Sequence, residues 1–252
     1  MTKYLRLAED ANQLAEMASN SLIEIIRQSV SSEGVCRIVL PGGSTPKLLY
    51  EKLAKVIPNT MPWHCVQFFL GDERNVPLDD PQSNYGMIKL ALGPVLSIGK
   101  AQLHPVNIQT GFPERAADEY EATIRTSFDN YSNVPRFDIV LLGMGDDAHT
   151  ASLFPYSSGL SEQVRLVTCN WVEKLKTHRI TLTAPILSAA KHVAFLVSGA
   201  SKTNALSQVW HSPYQPELLP SQLICPQGEF VWMVDKAALG QTPVPSDWVV
   251  TK

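Results

Sequence analysis

An α/β fold built on a mostly parallel, doubly wound sheet with helices on both faces follows from three observations on this 252-residue chain. Short, almost wholly apolar runs recur along it: VCRIVL (35–40), CVQFFL (65–70), FDIVLL (137–142), HVAFLV (192–197) and EFVWMV (229–234). Strands buried on both faces read this way, whereas half-exposed strands alternate apolar with polar. Segments with helical periodicity separate these runs, as crossover helices do in parallel sheets. Four of the runs also end in glycine-containing polar turns, the place where ligands bind in open α/β sheets.

The elements follow in order. Residues 8–30 carry Ala11, Leu14, Ala15, Ala18, Leu22, Ile25 and Ile26 at three- and four-residue steps, which predicts an amphipathic helix. VCRIVL is a strand closed by PGGSTP. Pro46 suits the first turn of the next helix, with Leu48, Leu49, Leu53 and Ile57 on its buried side. CVQFFL is the second strand, closed by GDER. Helices are expected near 82–92 and over 113–128, followed by the FDIVLL strand. RLVT (165–168) and HRITLT (178–183) read as further strands, and the polar alternation of HRITLT suits an antiparallel edge. HVAFLVSG is a strand, ASKTNALSQVW a helix, EFVWMV the last strand and KAAL a short terminal helix. No repeat, low-complexity linker or charge block divides the chain, so residues 1–252 are expected to form one domain.

Composition excludes several function classes. With 44% apolar and 18% charged residues the chain is an ordinary globular protein. A net charge of -3 without a basic stripe argues against nucleic acid as a partner. The N-terminal stretch has no apolar h-region and no segment approaches a membrane span, so a cytoplasmic location and no membrane partner are expected. Cys36, Cys65, Cys169 and Cys225 are scattered without CxxC spacing and read as small core residues in a reducing compartment; neither a zinc site nor any other metal is expected. A small molecule is the expected partner, bound by a monomer or weak homodimer.

The chemistry should sit where LPGGSTP (40–46), LGDER (70–74), LGMGDDAH (142–149) and VSGASK (197–202) meet on one sheet edge. Gly42, Gly43, Ser44 and Thr45 precede a helix, whose free N–H groups and dipole suit an anion; helix capping by Ser44 or Thr45 is the other reading. The turn is not GxxxxGK[ST], which argues against a nucleoside triphosphate. Arg179 and Lys202 supply cationic charge for a phosphate. Gly143-Met-Gly145-Asp-Asp-Ala148 satisfies GxGxxG/A, yet it lies in mid-chain, Pro155 shortens any helix behind it and two acids would repel a pyrophosphate. Acid–base work is the better use of this turn. An imidazole titrates near neutrality, so His149 suits a general base, with Asp146 or Asp147 orienting the ring or capping a helix near Thr150. Metal ligation by His149 and the aspartates is a further reading, without an HxH or HExxH companion. No GxSxG elbow occurs, which disfavours a serine nucleophile.

Four segments together, LPGGSTPKLLYEKLA, FFLGDERNVPLDDPQSNYGMIK, FDIVLLGMGDDAHTASLFP and HVAFLVSGASKTNAL, resemble the 6-phosphogluconolactonases in order and spacing. The resemblance implies a Rossmann-like fold and hydrolysis of 6-phospho-D-glucono-1,5-lactone to 6-phosphogluconate in the oxidative pentose phosphate pathway, with no metal or organic cofactor. It implies His149, Asp147 and Arg74 as catalytic residues. Substrate and phosphate would meet Gly42, Gly43, Ser44, Thr45, Asp72, Asn84, Arg179 and Lys202. Two departures stand out: Ala148 replaces the family's usual glycine before the histidine, at a turn where positive φ is at issue, and Ser201 precedes Lys202. The glucosamine-6-phosphate deaminase/isomerases are similar at GGSTP and D-x-H but place a glutamate where this chain has Phe154, and tend to read DEY where it has Asp72-Glu73-Arg74. A sugar-phosphate-binding protein without turnover is the remaining alternative, and no output module is evident for it.

Overall fold

The computed structural model describes residues 2–56, 60–108, 112–129 and 133–251. The chain begins with β1 (Lys3–Ala8), α1 (Ala11–Glu33), β2 (Cys36–Leu40), α2 (Ser44–Leu53), β3 (Val66–Leu70) and β4 (Asp72–Arg74). It continues through α3 (Asn84–Ala91), α4 (Gly93–Ser97), β5 (Gln102–His104), α5 (Pro113–Ser127) and β6 (Ile139–Leu142). The second half holds β7 (Val167–Val172), β8 (Thr177–Leu182), α6 (Ala184–Ser188), β9 (His192–Val197), α7 (Thr203–His211), β10 (Glu229–Asp235), α8 (Lys236–Leu239) and β11 (Val249–Thr251).

Eight strands form one sheet in the order β11-β1-β10-β9-β6-β2-β3-β5, and every neighbouring pair is parallel. The central strands β2, β3, β6 and β9 are apolar apart from half-buried Arg37, Gln67 and His192 near their starts, because both their faces are covered; Ile38, Phe68, Val140 and Phe195 are fully buried. The chain runs outward from β2 through β3 to β5 and then returns to β6 on the other side of β2. That reversal makes the β2–β6 boundary a topological switch point, where the carboxyl ends of the strands leave a crevice.

Local chemistry sets the helix ends. Asp10 accepts the N–H groups of Asn12 and Gln13 at 2.8 and 2.9 Å, and Gly34, at φ 75°, closes α1 at its other end. Helix α2 begins at Ser44, two residues before Pro46, because the first four N–H groups of a helix need no intrahelical partner and proline costs nothing there. Of its predicted buried face, Leu49 and Leu53 are buried, Leu48 is half-buried, and Ile57 lies outside the described residues.

Several expectations need correcting. Residues 3–8 are a strand that pairs with β10 and β11, so α1 starts three residues later than its periodicity suggested. Short β5 and β11 add to the two sheet edges, so β10 is not the last strand and α8 is not the terminus. HRITLT is not an edge of the main sheet. It forms β8, the middle of a separate antiparallel sheet ordered β4-β8-β7, and RLVT lies at the start of the longer β7. Gly71 joins the two sheets: its N–H donates to Leu40 O at 3.0 Å, and its own carbonyl accepts Leu182 N–H at 2.9 Å. Cys36 is buried as expected, but Cys65 and Cys169 are half-buried and Cys225 is exposed. No helix among the described residues is long and apolar enough to cross a membrane.

Candidate active site

β9, β6, β2 and β3 are consecutive neighbours and run parallel, so the four glycine-containing turns leave one edge of the sheet side by side. They enclose a cleft of about 200 Å³, lined by Gly42 and Gly43 after β2, Gly143, Gly145 and His149 after β6, and Lys202 after β9. Asp72 and Arg74 of β4 and Asn84 of α3 complete its wall.

The turn after β6 presents the imidazole. Gly145 N–H donates to His149 O at 2.8 Å, and the Thr150 hydroxyl donates to Gly143 O at 2.9 Å, closing the turn tightly. No helix starts at Thr150, which instead bridges Leu153; neither aspartate caps one, and no helix follows to receive a pyrophosphate. His149 Nδ1 lies 2.5 Å from Asp147 Oδ1, and Lys174 Nζ donates to Asp147 Oδ2 at 3.0 Å. Asp146, by contrast, stays exposed, 3.8 Å from Lys174. Burial alone would raise the Asp147 carboxyl, but the hydrogen bonds and charge of His149, helped by Lys174, hold it well below the usual carboxylate range. An ionised Asp147 accepts a hydrogen bond, so Nδ1 carries a proton, and in the neutral ring Nε2 keeps its lone pair. Phe154 stacks on the ring at 4.0 Å, fixing its plane.

Gly145 is required by this arrangement, since a Cβ placed there would stand 2.1 Å from His149 Nδ1 and 2.6 Å from Asp147 Oδ1. Ala148 holds φ 63° despite its methyl group, and Ala151 holds φ 48°. Left-handed backbone at non-glycine residues is a strained conformation that concentrates at functional sites. The turn thus keeps its positive φ without the glycine.

The opposite wall is built by the segment after β3. Glu73 is fully buried and accepts the N–H groups of Arg74, Asn84 and Tyr85 and the Ser83 hydroxyl, fastening the start of α3 to β4. Burial pushes its carboxyl up and those four donors oppose the rise. The Asn84 side chain donates to Asp72 O at 2.9 Å, and Ser152 donates to Asp72 Oδ2 at 2.5 Å. Arg74 is steadied by Gln82 O at 2.5 Å. Across the β4–β8 ladder Arg74 faces Arg179, whose Nε and Nη1 are buried without a hydrogen-bond partner. Burial pulls the Arg179 guanidinium below its ordinary value; Asp72 opposes this and Arg74 adds to it. Unpaired buried guanidinium nitrogens are costly and call for an acceptor. Lys202 is placed by its loop, in which Ser198 and Gly199 donate to buried Asp235 at the end of the neighbouring β10, so Ser201 leaves the anchoring of the turn intact.

The cleft therefore brings together Gly42, Gly43, Asp72, Arg74, Asn84, His149 and Lys202. Ser44 and Thr45 follow at the first two positions of α2 and do not line it; neither hydroxyl caps the helix, whose cap position is Gly43. Asp147 and Arg179 do not line the cleft: Asp147 holds the imidazole through Nδ1, and Arg179 is the cross-strand partner of Arg74. A larger cavity of about 610 Å³ beyond Phe154, lined by Asp147, Tyr156, Trp171 and Lys174, holds neither the imidazole nor the glycine turn. Sequence reasoning missed Lys174, which reaches Asp147 from a turn 27 residues away and leaves no local signal. It also assigned no role to Glu73, although the sequence DER…SNY contains both the carboxylate and the helix start that it caps.

Fold and cleft together define an open-sheet α/β protein with a cationic, imidazole-bearing crevice at its switch point. Residues 9–232 match the family profile described as Glucosamine-6-phosphate isomerases/6-phosphogluconolactonase, and the chain belongs to that family. It is 39% identical over 226 residues to the 6-phosphogluconolactonase of Synechocystis, covering 89% of this chain and 92% of that protein. The Nostoc 6-phosphogluconolactonase is 38% identical over 239 residues, covering 94% of this chain and 98% of its own. The crystal structure of 6-phosphogluconolactonase from Leishmania guyanensis matches with a TM-score of 0.84 at 28% identity, covering 97% of this chain and all of the other (100%).

Proposed function

We propose that this chain hydrolyses 6-phospho-D-glucono-1,5-lactone to 6-phospho-D-gluconate, in the oxidative pentose phosphate pathway, with His149 as general base. The observation that carries the reading is the single cleft in which a carboxylate-oriented imidazole faces Arg74 and Lys202. His149 Nε2 takes a proton from water as the oxygen attacks the lactone carbonyl. Arg74 stabilises the oxyanion that forms, a contribution of about 3–4 kcal/mol for a preorganised donor. The carbon–oxygen bond of the ring then breaks, and the imidazolium returns its proton to the departing ring oxygen. The phosphate is held by the 42–45 turn at the start of α2 with Arg179 and Lys202. Asp72 and Asn84 face the sugar hydroxyls.

Phe154 separates this chemistry from deamination, since a phenyl ring stacked on His149 carries no proton where the isomerases are read to place a glutamate. The protein acts in the cytoplasm as a one-domain monomer or weak homodimer, with neither nucleic acid nor membrane as a partner. One assay tests the function. The lactone is generated with a glucose-6-phosphate dehydrogenase and proton release is followed with and without the protein, with glucosamine 6-phosphate run in parallel. Faster proton release from the lactone alone is expected. Release of ammonia from the amino sugar, or no acceleration of either, would overturn the proposal.

A further inference from the structure

On the three-stranded sheet, away from the cleft, Glu114, Cys169 and His178 converge from three elements. Cys169 is on β7, His178 on β8 and Glu114 in the first turn of α5, which packs against both strands. Their donor atoms all lie within 4.8 Å of one another, with Cys169 Sγ 4.0 Å from Glu114 Oε1. We propose that this trio is a binding site for a thiophilic divalent cation, zinc by the chemistry of its donors, which ties the start of α5 to the β7–β8 pair.

Thiolate, imidazole and carboxylate are the three zinc donor types. Donors about 2.0–2.3 Å from a tetrahedral ion stand roughly 3.4–3.6 Å apart. The observed spacing closes to that range through rotation of exposed Glu114 and small shifts of the two half-buried strand residues. Register favours the same outcome. Trp171 lies opposite His178 and Cys169 opposite Ile180, so Cys169 and His178 are diagonal neighbours on one face of the pair. The positive end of α5 disfavours a cation, but thiolate and carboxylate together match the charge of a divalent ion. Arg165, the cation that acts on Cys169, is itself engaged by Asp118 and Glu121. Burial, then Glu114, push the Cys169 thiol up to about 11, with Arg165 opposing. The thiol is therefore protonated at neutral pH, and the metal takes its place on sulfur: one metal–sulfur bond forms and one proton leaves to solvent.

Cobalt(II) is the probe for this site. The full chain, kept reduced with a thiol-free reductant, is titrated with cobalt and then back-titrated with zinc. One bound equivalent, a thiolate-to-cobalt charge-transfer band in the near ultraviolet, and quenching of tryptophan fluorescence are expected. Trp171 is the reporter, because its ring contacts that of His178 at 4.9 Å. The band should vanish in Cys169→Ser. Glu114→Gln changes only an exposed side chain and keeps the test valid if the cysteine variant folds poorly. Loss of an outer-shell partner already costs about 10–100-fold in metal affinity, so loss of this ligand should cost at least tenfold. Absence of the band, its persistence in Cys169→Ser, or binding that is lost in His149→Ala instead would each overturn the assignment.

Discussion

Asp147 accepts a hydrogen bond from His149 at 2.5 Å through Nδ1, and this contact decides which ring nitrogen faces the cleft. Three further features hold the pair in place: Lys174 on the far carboxylate oxygen, Phe154 against the ring face, and the missing side chain of Gly145. The imidazole is thus set by packing as much as by charge.

Replacing His149 with alanine should lower kcat for lactone hydrolysis by about 10²–10⁴, the usual range for a general base. Steady-state kinetics on freshly generated lactone check this. Near-normal turnover would remove His149 from the mechanism.

Asp147→Asn should reduce kcat and also flatten the acid limb of stability. Because the folded carboxyl is depressed, the unfolded chain binds its proton first. The stabilisation is complete above the ordinary carboxylate value and is lost as acid carries the folded group through its own, lower value. Urea midpoints measured from about pH 5 downward should therefore fall more steeply in the wild type than in the variant. Parallel curves would show that Asp147 adds nothing to folding.

Arg179→Ala and Lys202→Ala should chiefly raise KM, as expected when an interaction made equally in ground and transition states is removed. Arg179 has two buried nitrogens without an acceptor, so inorganic phosphate should protect the wild type against heat more than it protects Arg179→Ala. Unchanged KM in both variants would move the phosphate elsewhere.

Gly145→Ala is expected to fold, since its φ is not positive, but the new methyl group displaces the imidazole. A shift of about 1 Å can cost 10² in rate, so kcat should drop by that order while the urea midpoint changes little. Full activity would mean that the ring finds its place by another route.

Much of this arrangement was legible beforehand. The five core strands are almost wholly apolar runs, and four of them announce their ends with glycine and polar residues, which placed Gly42, Gly43, Arg74, His149 and Lys202 on one sheet edge before any coordinates. What stayed hidden was non-local. β1 has a burial pattern without clean alternation and exists because β10 and β11 flank it. β4, β5 and β11 are three residues long, too short for any period to register. HRITLT carried the right polarity for an antiparallel strand, but nothing in it names Asp72–Arg74 as its partner. Ala148 was flagged through its chemistry, and the turn resolves the conflict by bearing the strain.

The peptide of Gly71 is shared between the two sheets, and this gives the molecule a gauge. On the proposed mechanism the base, His149, comes from a loop of the large sheet and the partner of the oxyanion, Arg74, from the small one, so the gap between them follows the offset at which one sheet seats on the other. Substitutions along that joint, far from any reacting group, are where a variant with a wider or narrower gap between base and oxyanion partner should be sought.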